Sequence, residues 1–191
     1  MTTSPAAAAK IGLEIEDVAP KVEQLRKQGK KIVLTQGTFD LVHIGHARYC
    51  QRAKEYGDVL IVGVDSDAKV KQRKGPDRPI VPEAERLEML TYLRSVDLVV
   101  LKRVDAPKHL LVKLVKPDVL IATKETYTKP QLEALEKACG KVVVLEPQAL
   151  TSTSAKVRLL QIGAARKIAE TLSAKLVSAI EEVLQELKGE K

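Results

Sequence analysis

The chain has no tryptophan, a single phenylalanine, three histidines and two cysteines among 191 residues. Aromatics make up 3% of a sequence that is 45% hydrophobic, so the core has to be built from aliphatic side chains. Cys50 and Cys139 are too few and too far apart for a disulfide framework or a C-x-x-C metal site, which points to a reduced, cytoplasmic setting. No apolar run reaches the about 20 residues of a membrane helix. The small, polar start over residues 1–9 lacks the charged segment and apolar block of a secretory signal. Internal repeats are absent. Lys and Arg number 32 against 25 Asp and Glu, a net charge of +7 with a pI near 9.3. That balance attracts anions. The sequence shows neither a basic stripe interleaved with aromatics nor a nucleic-acid reading motif. Small phosphorylated ligands therefore come ahead of nucleic acid or a membrane surface.

What the chain does have is alternation. Val18, Val22 and Leu25 fall at helical spacing over 17–28, and Gly29 supplies a stop. Strands are expected at 31–34, 59–64, 97–101, 118–121 and 141–145, each a short β-branched or aliphatic run. Helices are expected between them at 47–56, 82–93, 107–115 and 131–138, with a short one capped by Asp65-Ser66-Asp67 and a basic, proline-bearing loop at 74–79. Five strands alternating with helices give an α/β, Rossmann-like fold: a five-stranded parallel sheet with helices on both faces, plus a C-terminal helical extension. The expected organisation is a tail and helix over 1–29, the main domain over 30–162, and the extension over 163–191. In the tail, 151–161 reads as a capped helix. From Gly163 to Leu187 a second helix carries Leu172, Leu176, Ile180, Val183, Leu184 and Leu187 on one face, expected to pack back on the domain ahead of serving as a dimer contact.

The chemistry concentrates in residues 35–46, Thr-Gln-Gly-Thr-Phe-Asp-Leu-Val-His-Ile-Gly-His. This polar stretch follows the first strand and opens a helix. Gly37 gives the backbone freedom to turn or to admit a ligand closely. His43 and His46 bracket Gly45 where the helix begins, and there unpaired N–H groups and the positive end of the dipole attract anions. Two of the three histidines thus share one four-residue window beside a natural phosphate site. His109 stands apart on a later helix and reads as a surface residue.

The stretch resembles the HxGH signature of the cytidylyltransferase-like nucleotidyltransferase superfamily. Three further pieces match in order: Lys74-Gly75 after the second strand, Glu85-Arg86 before a helix, and Ser152-Thr153-Ser154 at the start of the last core helix. The nearest likenesses are glycerol-phosphate, ethanolamine-phosphate and choline-phosphate cytidylyltransferases and the heptose-phosphate adenylyltransferase domain. Archaeal FMN adenylyltransferases share the flavour of residues 79–86. The resemblance implies transfer of a nucleotidyl group from CTP or ATP to a small phosphate monoester, with release of pyrophosphate. It implies that His43, His46 and Lys74 are catalytic and stabilise the transferring phosphates. Gly37, Thr38, Phe39, Asp40, Gly45, Arg86, Ser152, Thr153 and Ser154 would hold the nucleotide. Asp65, Lys124 and Tyr127 would face the acceptor. Magnesium is implied as the companion of the triphosphate, with no dedicated cluster of acids to hold it, and a homodimer is implied as the assembly.

Simpler readings stand beside these. Asp40 would equally cap the following turn, Arg86 would brace a loop or pair with Asp97 or Glu83, and residues 152–154 would cap a helix in any fold. Two stretches depart from the cytidylyltransferases. Ala122-Thr-Lys-Glu-Thr-Tyr127 has Lys124 where an acid helps to read cytosine, and Pro147-Gln-Ala-Leu150 replaces an Arg-Thr-Glu-Gly run. Base selection arises from such hydrogen bonds, so the base is left open, and a non-catalytic nucleotide-binding module on the same fold is the alternative.

Overall fold

The computed structural model describes residues 5–12, 15–123, 127, 129–148 and 153–189. Its elements, in chain order, are Pro5–Ala8 (α1), Ile11–Gly12 (β1), Val18–Lys27 (α2), Ile32–Gly37 (β2), Ile44–Lys54 (α3), Val59–Asp65 (β3), Asp67–Lys74 (α4), Glu83–Thr91 (α5), Leu98–Lys102 (β4), Leu110–Val115 (α6), Val119–Thr123 (β5), Lys129–Glu136 (α7), Lys141–Leu145 (β6) and Thr153–Gly189 (α8). The residues form two compact units, Met1–Leu150 and Thr151–Lys191.

The first unit is an α/β fold on a wholly parallel sheet of order β1-β4-β3-β2-β5-β6. The sheet has six strands, which corrects the five expected. The extra strand, β1, pairs Ile11 and Gly12 with Val99 and Val100 of β4. Two residues, one of them glycine, carry no periodicity from which a strand can be read. Lys10 pins this edge by donating from Nζ to the carbonyls of Thr91 and Val96, at 3.1 and 3.0 Å.

Alternation along the strands splits the core in two. Val33, Val62, Val64, Val99, Leu101 and Ile121 pack under α3 and α5 with Cys50, Ala53, Leu87 and Leu90. Ile32, Leu34, Ile61, Val100 and Leu120 pack under α2 and α6 with Val18, Val22, Leu111 and Val115. Burial on both faces explains why β2 and β3 read as continuous apolar runs. At the end of the sheet where the strands begin, three aspartates bridge neighbours. Asp58 accepts from the Lys31 N–H at 2.8 Å, Asp97 from Leu60 at 2.6 Å and Asp118 from Ile32 at 2.7 Å. β2 lies between β3 and β5, so strand order reverses there, and the carboxyl ends of β2 and β5 flank the crevice where open α/β sheets bind ligands.

The second unit is the single helix α8. It runs through Gly163 without a break, since one glycine costs only about 1 kcal/mol in a helix interior. Among the described residues, no helix is long and apolar enough to cross a membrane.

Candidate active site

The loop from β2 to α3 is tightly built. A Cβ added at Gly37 would meet the Phe39 ring at 3.0 Å, so the missing side chain is what lets that ring fold back over the strand end. Phe39 and Leu41 hold φ of 53° and 50°, a left-handed conformation that bulky residues rarely adopt. Such strain, on the order of 1–3 kcal/mol per residue, is balanced by burial of Phe39 in the first core and by Asp40. The buried Asp40 carboxylate accepts from the N–H groups of Ile80 and Val81 at 3.0–3.1 Å and pairs with Arg78 at 2.8 Å. Asp40 thereby ties this loop to the proline-bearing loop ahead of α5.

His43 caps α3 with extended backbone, and its Nδ1 accepts from the Gly45 N–H at 3.0 Å. His46 reciprocates: its Nδ1 accepts from the His43 N–H at 3.3 Å, and the two rings lie 4.2 Å apart. This is a capping box in which imidazoles do the work of Ser and Glu. A ring whose Nδ1 accepts a hydrogen bond must, when neutral, carry its proton on Nε2. Both histidines are therefore set in one tautomer, with Nε2–H as the donor. The helix N-terminus adds its own positive potential beside them.

Arg86 lies at the start of α5 and is only 1% exposed. It donates from Nε to the Val81 carbonyl at 2.9 Å, from one terminal nitrogen to the Thr38 carbonyl, and from the other to the Asp65 carbonyl at 2.9 Å and to Asp67 Oδ1 at 2.7 Å. It thus clamps the ends of β2 and β3 to the start of α4. Its acidic partner is Asp67, not Asp97 or Glu83; Glu83 instead accepts from the Asp67 N–H at 2.6 Å.

Arg73, in α4, reaches both Thr38 Oγ1 at 2.7 Å and Asp65 Oδ2 at 3.0 Å. The buried Asp65 carboxylate also accepts from Lys102 Nζ at 3.0 Å. Burial pulls Lys102 below its ordinary pKa, against the opposing pull of Asp65. Gly63 makes room for this lysine, because a Cβ there would meet Lys102 Cδ at 2.8 Å and Leu111 Cδ2 at 2.7 Å. Lys74 ends α4, followed by Gly75 at φ 96°. Its ammonium is held below the ordinary value by partial burial first, then by Arg73 and Arg78.

A cavity of 260 Å³ opens at the carboxyl ends of β2, β3 and β4, on the α6 side of the sheet. Gln36, Gly37, Asp65, Lys69, Arg73, Lys102, His109 and Tyr127 are among its walls. Gln36 Nε2 donates to Tyr127 Oη at 2.8 Å. Burial, with a smaller contribution from Asp65, pushes the Tyr127 hydroxyl up to about 12. His109 is held below its usual pKa by burial and then by Lys102, Lys113, Lys108 and Lys69.

Of the residues singled out in the sequence, Gly37, Asp65 and Tyr127 meet at this cavity, while Thr38, Phe39, Asp40, His43, Gly45 and His46 share the adjoining loop. Thr153 and Ser154 open α8 in the other unit. Lys124 and Ser152 lie outside the described residues. His109 is not the surface residue expected: it precedes α6 at φ 61° and lines the cavity. Lys102 and Gln36 escaped notice, although each closes a strand on the face that Val100 and Leu34 bury, a place from which a polar side chain reaches the carboxyl-end crevice. Among the described residues no group of three or more His, Cys, Asp or Glu could hold a metal ion.

Residues 34–179 match the family described as cytidylyltransferase-like. The bifunctional protein HldE of a Nitratiruptor species is 51% identical over 108 residues, covering 56% of this chain and 23% of that protein. HldE of Geotalea uraniireducens is 40% identical over 130 residues, 68% of this chain and 25% of that one. The chain therefore spans about a quarter of the length of these relatives. Among solved structures, a lipopolysaccharide core biosynthesis protein from Thermoplasma volcanium superposes with a TM-score of 0.55 at 28% identity, over 62% of this chain and 98% of that one.

Proposed function

The chain belongs to the cytidylyltransferase-like family, and from that premise we propose that it transfers a nucleoside monophosphate from a nucleoside triphosphate to a small sugar phosphate. The observation that carries this reading is the histidine capping box, which fixes two imidazoles at a helix N-terminus with Nδ1 accepting and Nε2–H left as the donor. A phosphate oxygen of the acceptor attacks the α-phosphorus, the bond to the β-phosphate oxygen breaks, and pyrophosphate leaves. The acceptor is already an anionic nucleophile, so no serine or cysteine is required. The protein's task is to align two polyanions and stabilise the charge that grows on the α-phosphate and leaving group. His43 and His46 donate to those oxygens, and Lys74 adds its charge from the end of α4. Magnesium enters with the triphosphate as part of the substrate.

The acceptor body occupies the cavity beside Gly37. Its volume lies just under the roughly 300–1,000 Å³ of sites for drug-sized ligands, which suits a small polar molecule. Gln36, Tyr127 and His109 offer hydrogen bonds, and Lys69, Arg73 and Lys102 offset one carboxylate, Asp65. ATP is favoured over CTP on the likeness to HldE and to the heptose-phosphate adenylyltransferase domain; the replaced stretches at 122–127 and 147–150 leave the base open by themselves. Thr153 and Ser154 remain candidate phosphate ligands on the strength of their place in the signature. A reduced, cytoplasmic setting fits two free thiols.

A panel of triphosphates with magnesium and sugar phosphates, read by pyrophosphate release, tests the proposal. Turnover with ATP and a sugar phosphate is expected. Tight triphosphate binding with no pyrophosphate across a broad acceptor panel would replace it with a non-catalytic nucleotide-binding module.

A further inference from the structure

The cavity at the carboxyl ends of β2, β3 and β4 holds more positive charge than its own carboxylate balances. Among the described residues Lys69, Arg73, Lys102 and Lys108 stand in its lining against Asp65 alone. With His109 neutral, four cations and one carboxylate leave an excess of three charges. Glu16 and Asp105 line a neighbouring pocket together with Arg103, rather than this one.

The four cations divide by what holds them. Arg73 leans toward the β2–α3 loop, donating to Thr38 Oγ1 at 2.7 Å while it meets Asp65 Oδ2 at 3.0 Å. Lys102 takes the other oxygen of that carboxylate at 3.0 Å. The Asp65 side chain is 2% exposed, so its charge is engaged by these two. Lys69 lies one turn before Arg73 on α4, and its Nζ reaches the Arg103 carbonyl at 3.5 Å, a long and weak contact. Lys108 comes from the segment ahead of α6. Among the described residues neither forms an ion pair with an acid. His109 lies in their field, since after burial the causes that lower its pKa are Lys102, Lys113, Lys108 and Lys69. Three of those lysines line the cavity. A cleft walled by one sign of charge concentrates the opposite ion. The triphosphate does not account for it: His43 and His46 open α3, which packs on the face of the sheet opposite α6.

On the transferase reading, from which this inference starts, we propose that the acceptor is a small phosphate monoester carrying a second anionic group, a carboxylate or a second phosphate. That group sits between Lys69, Lys102 and Lys108 beside His109, while the reacting phosphate faces His43 and His46. Lys69 and Lys108 touch no reacting atom. They select the acceptor by the charge at its far end.

A matched set of anomeric glucose phosphates supplies the probes, with a hydroxyl, a carboxylate, a second phosphate or an amine at the far carbon. Calorimetry without triphosphate reads binding, and pyrophosphate release with ATP and magnesium reads transfer. The carboxylate or the second phosphate should bind about thirtyfold or more tighter than the hydroxyl, as charge-assisted contacts do. Whichever binds tighter identifies the second anion, and the preference should shrink as salt rises. Lys69→Glu with Lys108→Glu should abolish the preference and favour the amine, an inversion that structural damage does not produce. Lys108 is exposed, so Lys108→Glu alone serves the same test if the pair does not fold. Equal binding by the four probes, binding by none, or a variant that raises the triphosphate KM in place of the acceptor's would each overturn the second anion. Transfer to the hydroxyl probe would leave the transferase reading standing in those cases. The binding preference without transfer to any probe would sink that reading and keep the anion seat.

Discussion

Replacing Arg86 by methionine separates two roles for a residue that the family signature assigns to nucleotide and the structure buries. Methionine keeps most of the apolar stem and removes every donor. The carbonyls of Val81, Thr38 and Asp65 then lose their partner. A buried acceptor left unsatisfied costs about 1–3 kcal/mol. Asp67 is 31% exposed and rehydrates, so its pair counts for under about 1 kcal/mol, as surface pairs do. Removing a buried guanidinium also relieves its desolvation, which places the net loss near the lower part of the range, about 3–5 kcal/mol. That is a large fraction of the roughly 5–15 kcal/mol that holds a domain together. At about 2–4 °C per kcal/mol for a chain of this size, the melting temperature should fall by about 10 °C, read by calorimetry or circular dichroism. Arg86→Lys should recover little of it, because one ammonium cannot serve a fork of four acceptors. An Arg86→Met protein that melts like the parent and shows only a raised KM for triphosphate would refute the clamp and restore Arg86 to the nucleotide.

Three further outcomes are expected. His46→Ala should lower kcat at least about a hundredfold, as loss of a transition-state donor does, with a melting temperature within a few degrees of the parent; near-normal turnover would remove His46 from the chemistry. Lys102→Met should raise the acceptor KM about tenfold with kcat and triphosphate KM nearly unchanged, and an equal rise in both KM values would contradict a place at the acceptor. Burial pushes the Cys50 thiol up to about 12 from an ordinary 9.0. Between those values the unfolded chain binds fewer protons than the folded one, so stability falls as pH rises. Urea midpoints at pH 8 and pH 10 should show that fall, and Cys50→Ala should show a shallower one; an equal slope in both proteins would place the alkaline sensitivity elsewhere.

The β2–α3 unit was legible because its parts are local: a β-branched run, a glycine and two histidines at a helix start are read within fifteen residues. The same holds for Ser66, whose Oγ accepts from the Lys69 N–H at 3.3 Å to cap α4. What eluded the sequence depends on pairs far apart. Arg86 meets Thr38 across 48 positions, and Lys102 meets Asp65 across 37. No periodicity signals such pairings. His109 reads as surface because the sequence sets it on a helix away from the polar loops; only the register of β3 and β4, with Asp65 opposite Lys102, brings that stretch to the crevice. The strand β1 was invisible for the opposite reason, being too short to have a pattern at all.

Asp58, Asp97 and Asp118 lock neighbouring strands at the end of the sheet remote from the two histidines. A slip of one residue would turn Gln36 and Lys102 to the wrong face, and these three bridges oppose such slips without occupying any of the reactive end. The loops after β4 and β5 are thereby released from the task of holding the sheet together. Under the proposed function, acceptor choice is accordingly a replaceable fitting: new residues after β4 or β5 can change what enters the cavity, while the histidines stay where the far end has set them.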